Sequence, residues 1–277
     1  MAQCETISFD ITPEKDASKL QFLRRQFSGG PPALLRSDFD LSDKTAILLN
    51  AGVNRGSFAL NPTTGHEEDI QTNYLSTALL VFLILEIFQK SRALGTDTMY
   101  VPGRIVVVSS DRAAWAKFDE KKEEPLLPPF DVEATWDKLD RYGTSKLLGQ
   151  DFLLPSWLSG FLHHWPSSTA PTRASAAARG SPESWVRSLL SSDAYLAGRL
   201  LWGARTLVHA AVKQDERSHG QYVEDWRAET VSHLFLLIAP LVYATGREQL
   251  FQRLWNETMD ELSFAGVQGI LEGVIRV

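Results

Sequence analysis

The sequence predicts an α/β fold built on a doubly wound parallel sheet. Three observations predict it. Two short runs are wholly apolar, "KTAILLNAG" closing on Gly52 and "GRIVVVSS" from Gly103 to Ser110, as strands covered on both faces are. Segments with helical spacing follow each run, from about Glu67 to Ser91 and from near Val132 through Lys146. Strand and helix therefore alternate, which calls for a parallel sheet with helices packed on it.

Each element has a local reason. "ETISFDIT" alternates and ends in Asp10, so it is expected to be a strand entering a loop. Leu20, Leu23 and Phe27 share a face, and Pro13 suits a first helical turn, so Pro13 to Phe27 is expected to be a helix. A charged, proline-bearing loop spans Asp119 to Pro129. Beyond Gly180, the segment from Ser184 to Val212 has helical spacing, and "RSHGQYVED" reads as a turn and short strand. "REQLFQRLWNETMDEL" is an amphipathic helix expected close to the end of the fold. In such sheets ligands sit at the carboxyl ends of strands. Asp10, Asn50 to Gly52, Ser109 and Ser110 all fall at such ends.

Composition limits the function classes. The 277 residues, 44% of them hydrophobic, suffice for one substantial core, and residues 1–277 are expected to form a single domain. A net charge of −6 leaves no basic footprint for nucleic acid. The single Cys4 cannot form an internal disulfide, which points to a reducing, cytoplasmic setting. The start shows no cationic stretch followed by an apolar one. The longest apolar run, Leu75 to Phe88, contains Glu86 and is too short for a bilayer, so it is expected to be a core helix and not a membrane span. The adjacent His163 and His164 lack an acidic or cysteine partner, and no metal site is expected.

The chemistry lies in "DRYGTSK". Tyr142 and Lys146 are four apart on a predicted helix, so they share a face. A free tyrosine, with a pKa of about 10, shuttles protons poorly at neutral pH. A fixed ammonium nearby favours the phenolate and moves the group toward the working range. A serine hydroxyl can then hold the substrate oxygen. Such a pair alone is a weak signal, and an exposed tyrosine and lysine would look the same. The order of four stretches strengthens it: "LLNAG", "IQTNYLSTALL", "RIVVVSS" and "YGTSK".

In that order the sequence resembles the short-chain dehydrogenase/reductases, in the branch common in filamentous fungi. The resemblance covers about Thr6 to Phe152 and Trp185 to Leu262. It implies a Rossmann-like doubly wound sheet and an NAD(P)-dependent oxidoreductase that interconverts a ketone or aldehyde and an alcohol. By resemblance, Asn50, Ala51 and Gly52 stabilise the sheet beside the cofactor, and Asn73 supports a proton-relay water. Ser110, in preference to Ser109, orients the substrate. Tyr142 is the general acid/base. Lys146 holds the nicotinamide ribose and tunes Tyr142, and Asp10 touches adenine. NADP or NAD is the implied cofactor, and a small carbonyl or alcohol the implied substrate. A homodimer through the helices at about 67–91 and 132–152, and a role in secondary metabolism, are further expectations.

The sequence departs from the family pattern twice. Members open with a strand, a glycine-rich turn, a helix and a second strand, whereas this chain reads from the third strand onward. The fold is therefore expected to lack the first strand–helix–strand and the turn that receives pyrophosphate. The strand after the catalytic helix is also absent from the pattern, and about 154–182 is expected to be irregular. A displaced reading frame, opening near Leu153 and closing between Ser181 and Trp185, would account for that segment. The alternative to an active enzyme is a non-catalytic relative, a partner subunit or an inactive truncated product.

Overall fold

The structure is a computed structural model and describes residues 45–94, 104–152, 172–174, 204–212, 223–224, 227–228 and 247–275. The expected strand ending at Asp10, the helix Pro13 to Phe27 and the missing opening unit lie outside them. Five strands, β1 (Ala46–Leu49), β2 (Arg104–Val108), β3 (Thr172–Ala174), β4 (Val223–Glu224) and β5 (Arg227–Ala228), form one sheet in that order. β1 to β4 run parallel, and β5 returns antiparallel to β4. The helices are α1 (Ser76–Leu94), α2 (Lys138–Phe152), α3 (204–212), α4 (Arg247–Glu261) and α5 (Val267–Ile275).

β1 and β2 pair from Ala46↔Arg104 to Leu49↔Val107. β2 is buried from Ile105 to Val108, as its unbroken apolar run predicts. β1 does not meet the same expectation: Ala46 and Leu48 are exposed while Ile47 and Leu49 are half-buried. It pairs with β2 alone among the described residues, and one of its faces is uncovered. Apolar sequence marked it as a strand but could not say how many faces are covered.

Helix α1 continues from a short turn, Glu68–Ile70, through a π-helical turn at Gln71–Leu75. Tyr74, Leu75, Ala78, Val81, Phe82, Leu85 and Phe88 make its buried stripe. By length and composition alone Glu68–Lys90 could cross a membrane. Its stripe instead forms the main core, where Phe152 stacks on Trp255 of α4 at 5.3 Å and meets the edges of Tyr74 and Phe82 at 5.9 and 5.8 Å.

Three boundaries differ from expectation. The helix placed near Val132 starts at Lys138, because Pro128 and Pro129 favour short 3-10 turns that run to Thr135. Asp137 caps the new start by accepting from Leu139 N and Asp140 N. The segment 154–182 is not irregular throughout, since Thr172–Ala174 pairs in parallel with Val106–Val108. The fold also continues beyond the amphipathic helix: α5 follows it, with Val267, Leu271 and Val274 buried. That helical spacing was visible in "VQGILEGVI".

Candidate active site

The loop after β1, the π-helical turn before α1, the end of β2 and the middle of α2 converge. Asn73 ties three of them. Its Oδ1 accepts from Val53 N at 2.8 Å, and its Nδ2 donates to Val53 O at 2.8 Å and to Ser145 Oγ at 2.9 Å. Ser145 Oγ in turn donates to Tyr142 O at 2.9 Å. Both N–H bonds of the Asn73 amide are thus engaged, while its Oδ1 keeps a second lone pair. The π-helical turn fits this placement: one extra residue per turn re-aims a side chain, and such bulges recur at functional sites.

Lys146 is buried and lies one turn beyond Tyr142, with its ammonium 5.9 Å from the centre of the Tyr142 ring. Nζ donates to Val108 O, the last carbonyl of β2, at 3.3 Å. Burial lowers its pKa to about 8, and the charge of Asp69 opposes that shift. Asp69 is itself fully buried, accepts from Arg55 N at 3.0 Å, and is pushed up to about 6 by burial. Gly52 explains the close approach of the loop. A β-carbon there would sit 3.0 Å from Asn73 Oδ1 and 3.1 Å from Lys146 Nζ. Asn50 and Ala51 are exposed beside it, at the carboxyl end of β1.

Ser110 caps the 3-10 turn Asp111–Trp115 by accepting from Arg112 N at 3.3 Å. Capping uses a lone pair of the hydroxyl and leaves its proton for another acceptor. The turn packs tightly on α2 at Gly143, where a β-carbon would meet Arg112 O at 2.8 Å. This contact brings the Ser110 turn and the Tyr142 turn together. Ser109 is committed differently: its Oγ accepts from Gln150 Nε2 at 2.5 Å.

The structure therefore gathers Gly52, Asn73, Tyr142 and Lys146 in one place and packs the Ser110 turn on the same helix. Asp10 lies outside the described residues. Sequence reasoning missed Ser145, Gln150 and Asp69. Tyr142, Lys146 and Gln150 follow at i, i+4 and i+8, and extending that period one more turn would have found Gln150.

A separate cleft of about 760 Å³ opens between residues 117 and 140. Asp119, Glu120, Glu123, Glu124, Asp137 and Asp140 line it, and Ser110, Tyr142 and Lys146 do not. Six carboxylates against one lysine repel phosphate, so this cleft does not suit a dinucleotide.

Parallel strands, asparagine-bearing π-helical turn and Tyr–Lys helix define an α/β protein with a small, mostly parallel sheet, consistent with a Rossmann-like fold. No family model matches the chain. It is 32% identical to the short-chain dehydrogenase fogG of Aspergillus ruber, over 98% of this chain and 99% of that one. It is 36% identical to the short chain dehydrogenase/reductase mfmJ of Annulohypoxylon moriforme and 31% identical to the short chain dehydrogenase virL of Hypocrea virens. Those two matches cover 82% and 83% of this chain, which spans 64% and 65% of their lengths. The chain belongs to the short-chain dehydrogenase/reductase family, in a branch from filamentous fungi. The alignment with fogG runs over 368 positions against 277 residues here, so it carries internal gaps.

Proposed function

We propose that the chain is an NAD(P)-dependent oxidoreductase that interconverts a ketone or aldehyde and an alcohol, in the secondary metabolism of a filamentous fungus. The observation that carries the reading is the buried Lys146 ammonium 5.9 Å from the Tyr142 ring, on a helix fixed to the β1 loop through Ser145 and Asn73.

The nicotinamide-ribose half of a cofactor fits the residues present. Gly52 lets the β1 loop come close against Asn73 and Lys146, and Lys146 is an ammonium with three donors, one of them on Val108 O. No glycine-rich phosphate turn occurs among the described residues, so the fit covers that half alone. NADP is the preferred cofactor and NAD the other choice. Bound there, it supplies or accepts the hydride.

The chain's own residues handle the proton. Tyr142 gives its phenolic proton to the carbonyl oxygen in reduction and takes it back in oxidation. Lys146 favours the phenolate by charge and orients the ribose. Ser110 donates its proton to the same substrate oxygen, and such a preorganised donor is worth more in a dry site than in water. Asn73 holds α2 in register and supports the water through which protons are relayed.

The same proposal places the protein in the cytoplasm and pairs it as a homodimer through the helices at 67–91 and 132–152. Exposed Leu80, Ile87 and Leu139 on those helices support the pairing, which light scattering measures.

The test is a titration of the purified protein with NADPH, followed by nicotinamide fluorescence and melting temperature. A raised melting point and a carbonyl-dependent loss of NADPH absorbance, both expected, support the enzyme. Tyr142→Phe should keep the binding and lose at least about 100-fold in rate, the contribution of one general acid/base. A cooperative melt without binding would leave a non-catalytic relative as the better reading.

A further inference from the structure

Gln150 lies one turn beyond Lys146 on α2 and is 1% exposed. Its Nε2 donates to Ser109 Oγ. Its Oε1 is buried and has no hydrogen-bond partner among the described residues. A buried amide oxygen without a partner costs about 1–3 kcal/mol, so it calls for an explanation. The side chain borders a small cavity of about 10 Å³ that Asn73, Ser109, Lys146 and Gly149 also line. That volume is the lower end of what one water molecule needs; Val107 and Val108 make much of the lining apolar, and Asn73, Ser109, Lys146 and Gln150 bring the polar groups a buried water requires. Lys146 carries three N–H donors, and Val108 O takes one.

We propose that Gln150 is a positioning residue for the proton-transfer site: its amide oxygen accepts from one buried water, which accepts from the Lys146 ammonium, while its amide nitrogen pins Ser109 at the end of β2. The inference rests on the assignment of Tyr142 and Lys146 as the acid/base pair. Charge fixes the sense of the amide. Turned over, its NH2 would face the ammonium, donor against donor. The water and the carbonyl dipole stabilise the charged lysine, which burial otherwise opposes.

Few other charged groups face Lys146. Tyr142 lies on its own helix, and Asp69 reaches it from the turn before α1. β2 presents the Val108 carbonyl and Ser109, and the β1 loop presents Gly52. After the Val108 carbonyl, Gln150 is thus the neutral dipole that can hold the ammonium where Tyr142 needs it.

A crystal structure of the wild-type chain tests the site without a variant. A water within about 3.2 Å of both Lys146 Nζ and Gln150 Oε1 is expected, that being the limit of an ordinary hydrogen bond. A dry cavity, or a Gln150 amide turned away from it, overturns the proposal. The second test follows the Lys146 side-chain resonance with pH by NMR, assigned by its loss in Lys146→Arg. Gln150→Met should lower the proton affinity of Lys146 by roughly threefold or more, the equivalent of half a pKa unit. An unmoved midpoint overturns the proposal. In an active enzyme the same variant should shift the pH profile of kcat and leave KM nearly unchanged. If the midpoint moves but neither wild type nor variant turns over NADPH, the Gln150 contact stands and the acid/base assignment falls.

Discussion

Ser145 shows how much one hydroxyl can organise. It accepts from Asn73 and donates to the Tyr142 carbonyl, and it is fully buried. Ser145→Ala removes the acceptor and leaves one Asn73 N–H proton with no partner inside the protein. An orphaned buried donor costs about 1–3 kcal/mol, and the melting temperature should fall accordingly. The rate should fall further than stability alone predicts, because Tyr142 sits on the turn that Ser145 anchors. Ser145→Thr, which keeps the hydroxyl, should restore most of the rate. If Ser145→Ala melts lower but turns over normally, the contact is structural only. The sequence named Tyr142 and Lys146 by their chemistry and spacing, and Asn73 through the family resemblance. Gln150 lay one turn further along the same period, but the sequence could not name Ser145 or Asp69, whose roles depend on which polar atoms burial leaves without water. Burial is a property of packing, and a pattern of residue types does not carry it.

Helices and turns were legible where period was strong, as in α1, α2 and α4, and blurred where proline chemistry decides, as between Val132 and Lys138. Two contacts between elements were invisible in the sequence and can be tested. The first is Gly143, whose absent β-carbon would lie 2.8 Å from the main-chain oxygen of Arg112. Backbone cannot swing aside as a side chain can, so Gly143→Ala should cost about 1–3 kcal/mol in chemical denaturation. It should also separate the Tyr142 and Ser110 turns and lower kcat; unchanged stability would mean that the contact is loose. The second is a clasp by α4. His66 Nδ1 meets Asp131 at 3.1 Å, and His66 Nε2 meets Glu261 of α4 at 2.9 Å. One turn earlier on α4, the Glu257 carboxylate accepts from Leu126 N and Leu127 N, with 2.7 and 2.8 Å as the shortest distances. The hydrogen bond to Asp131, more than any other contact, raises His66 from 6.5 to about 9. A base held above its unfolded value adds stability that is complete below about pH 6.5 and lost as pH rises through about 9. Glu261 is partly exposed, so the loss should be on the order of 1 kcal/mol. His66→Gln should flatten the melting temperature between those limits, and an equal decline in the variant would assign the pH dependence to other groups.

The first two strands of the sheet were legible because both are short apolar runs, although only β2 is buried throughout. The third strand was not, and its composition explains why. Thr172, Arg173 and Ala174 pair with Val106, Val107 and Val108, three of the most deeply buried residues of the sheet. A strand between two parallel neighbours is normally rich in Val, Ile and Leu, and Thr-Arg-Ala is the wrong composition for that position. The fold thus calls for a strand beside β2, and the sequence supplies three residues that would not be chosen for it. Displacement of the reading frame between about Leu153 and Trp185 reconciles the two. It changes the residues and leaves α2 before it and the chain after it in their original frame. The nucleotide sequence of this interval, read in the shifted frame, should yield an open stretch with an apolar run of strand length that closes on a Pro-Gly turn. A chain carrying that reading should melt higher than the present one, because a buried aliphatic side chain contributes about 1.5–3 kcal/mol. It should also bind NADPH more tightly, since the strand ends on the side where Lys146 meets Val108. A stop codon in the shifted frame, or a run as polar as Thr-Arg-Ala, ends the idea. The short third strand would then be native to this protein, and the weak point of its sheet.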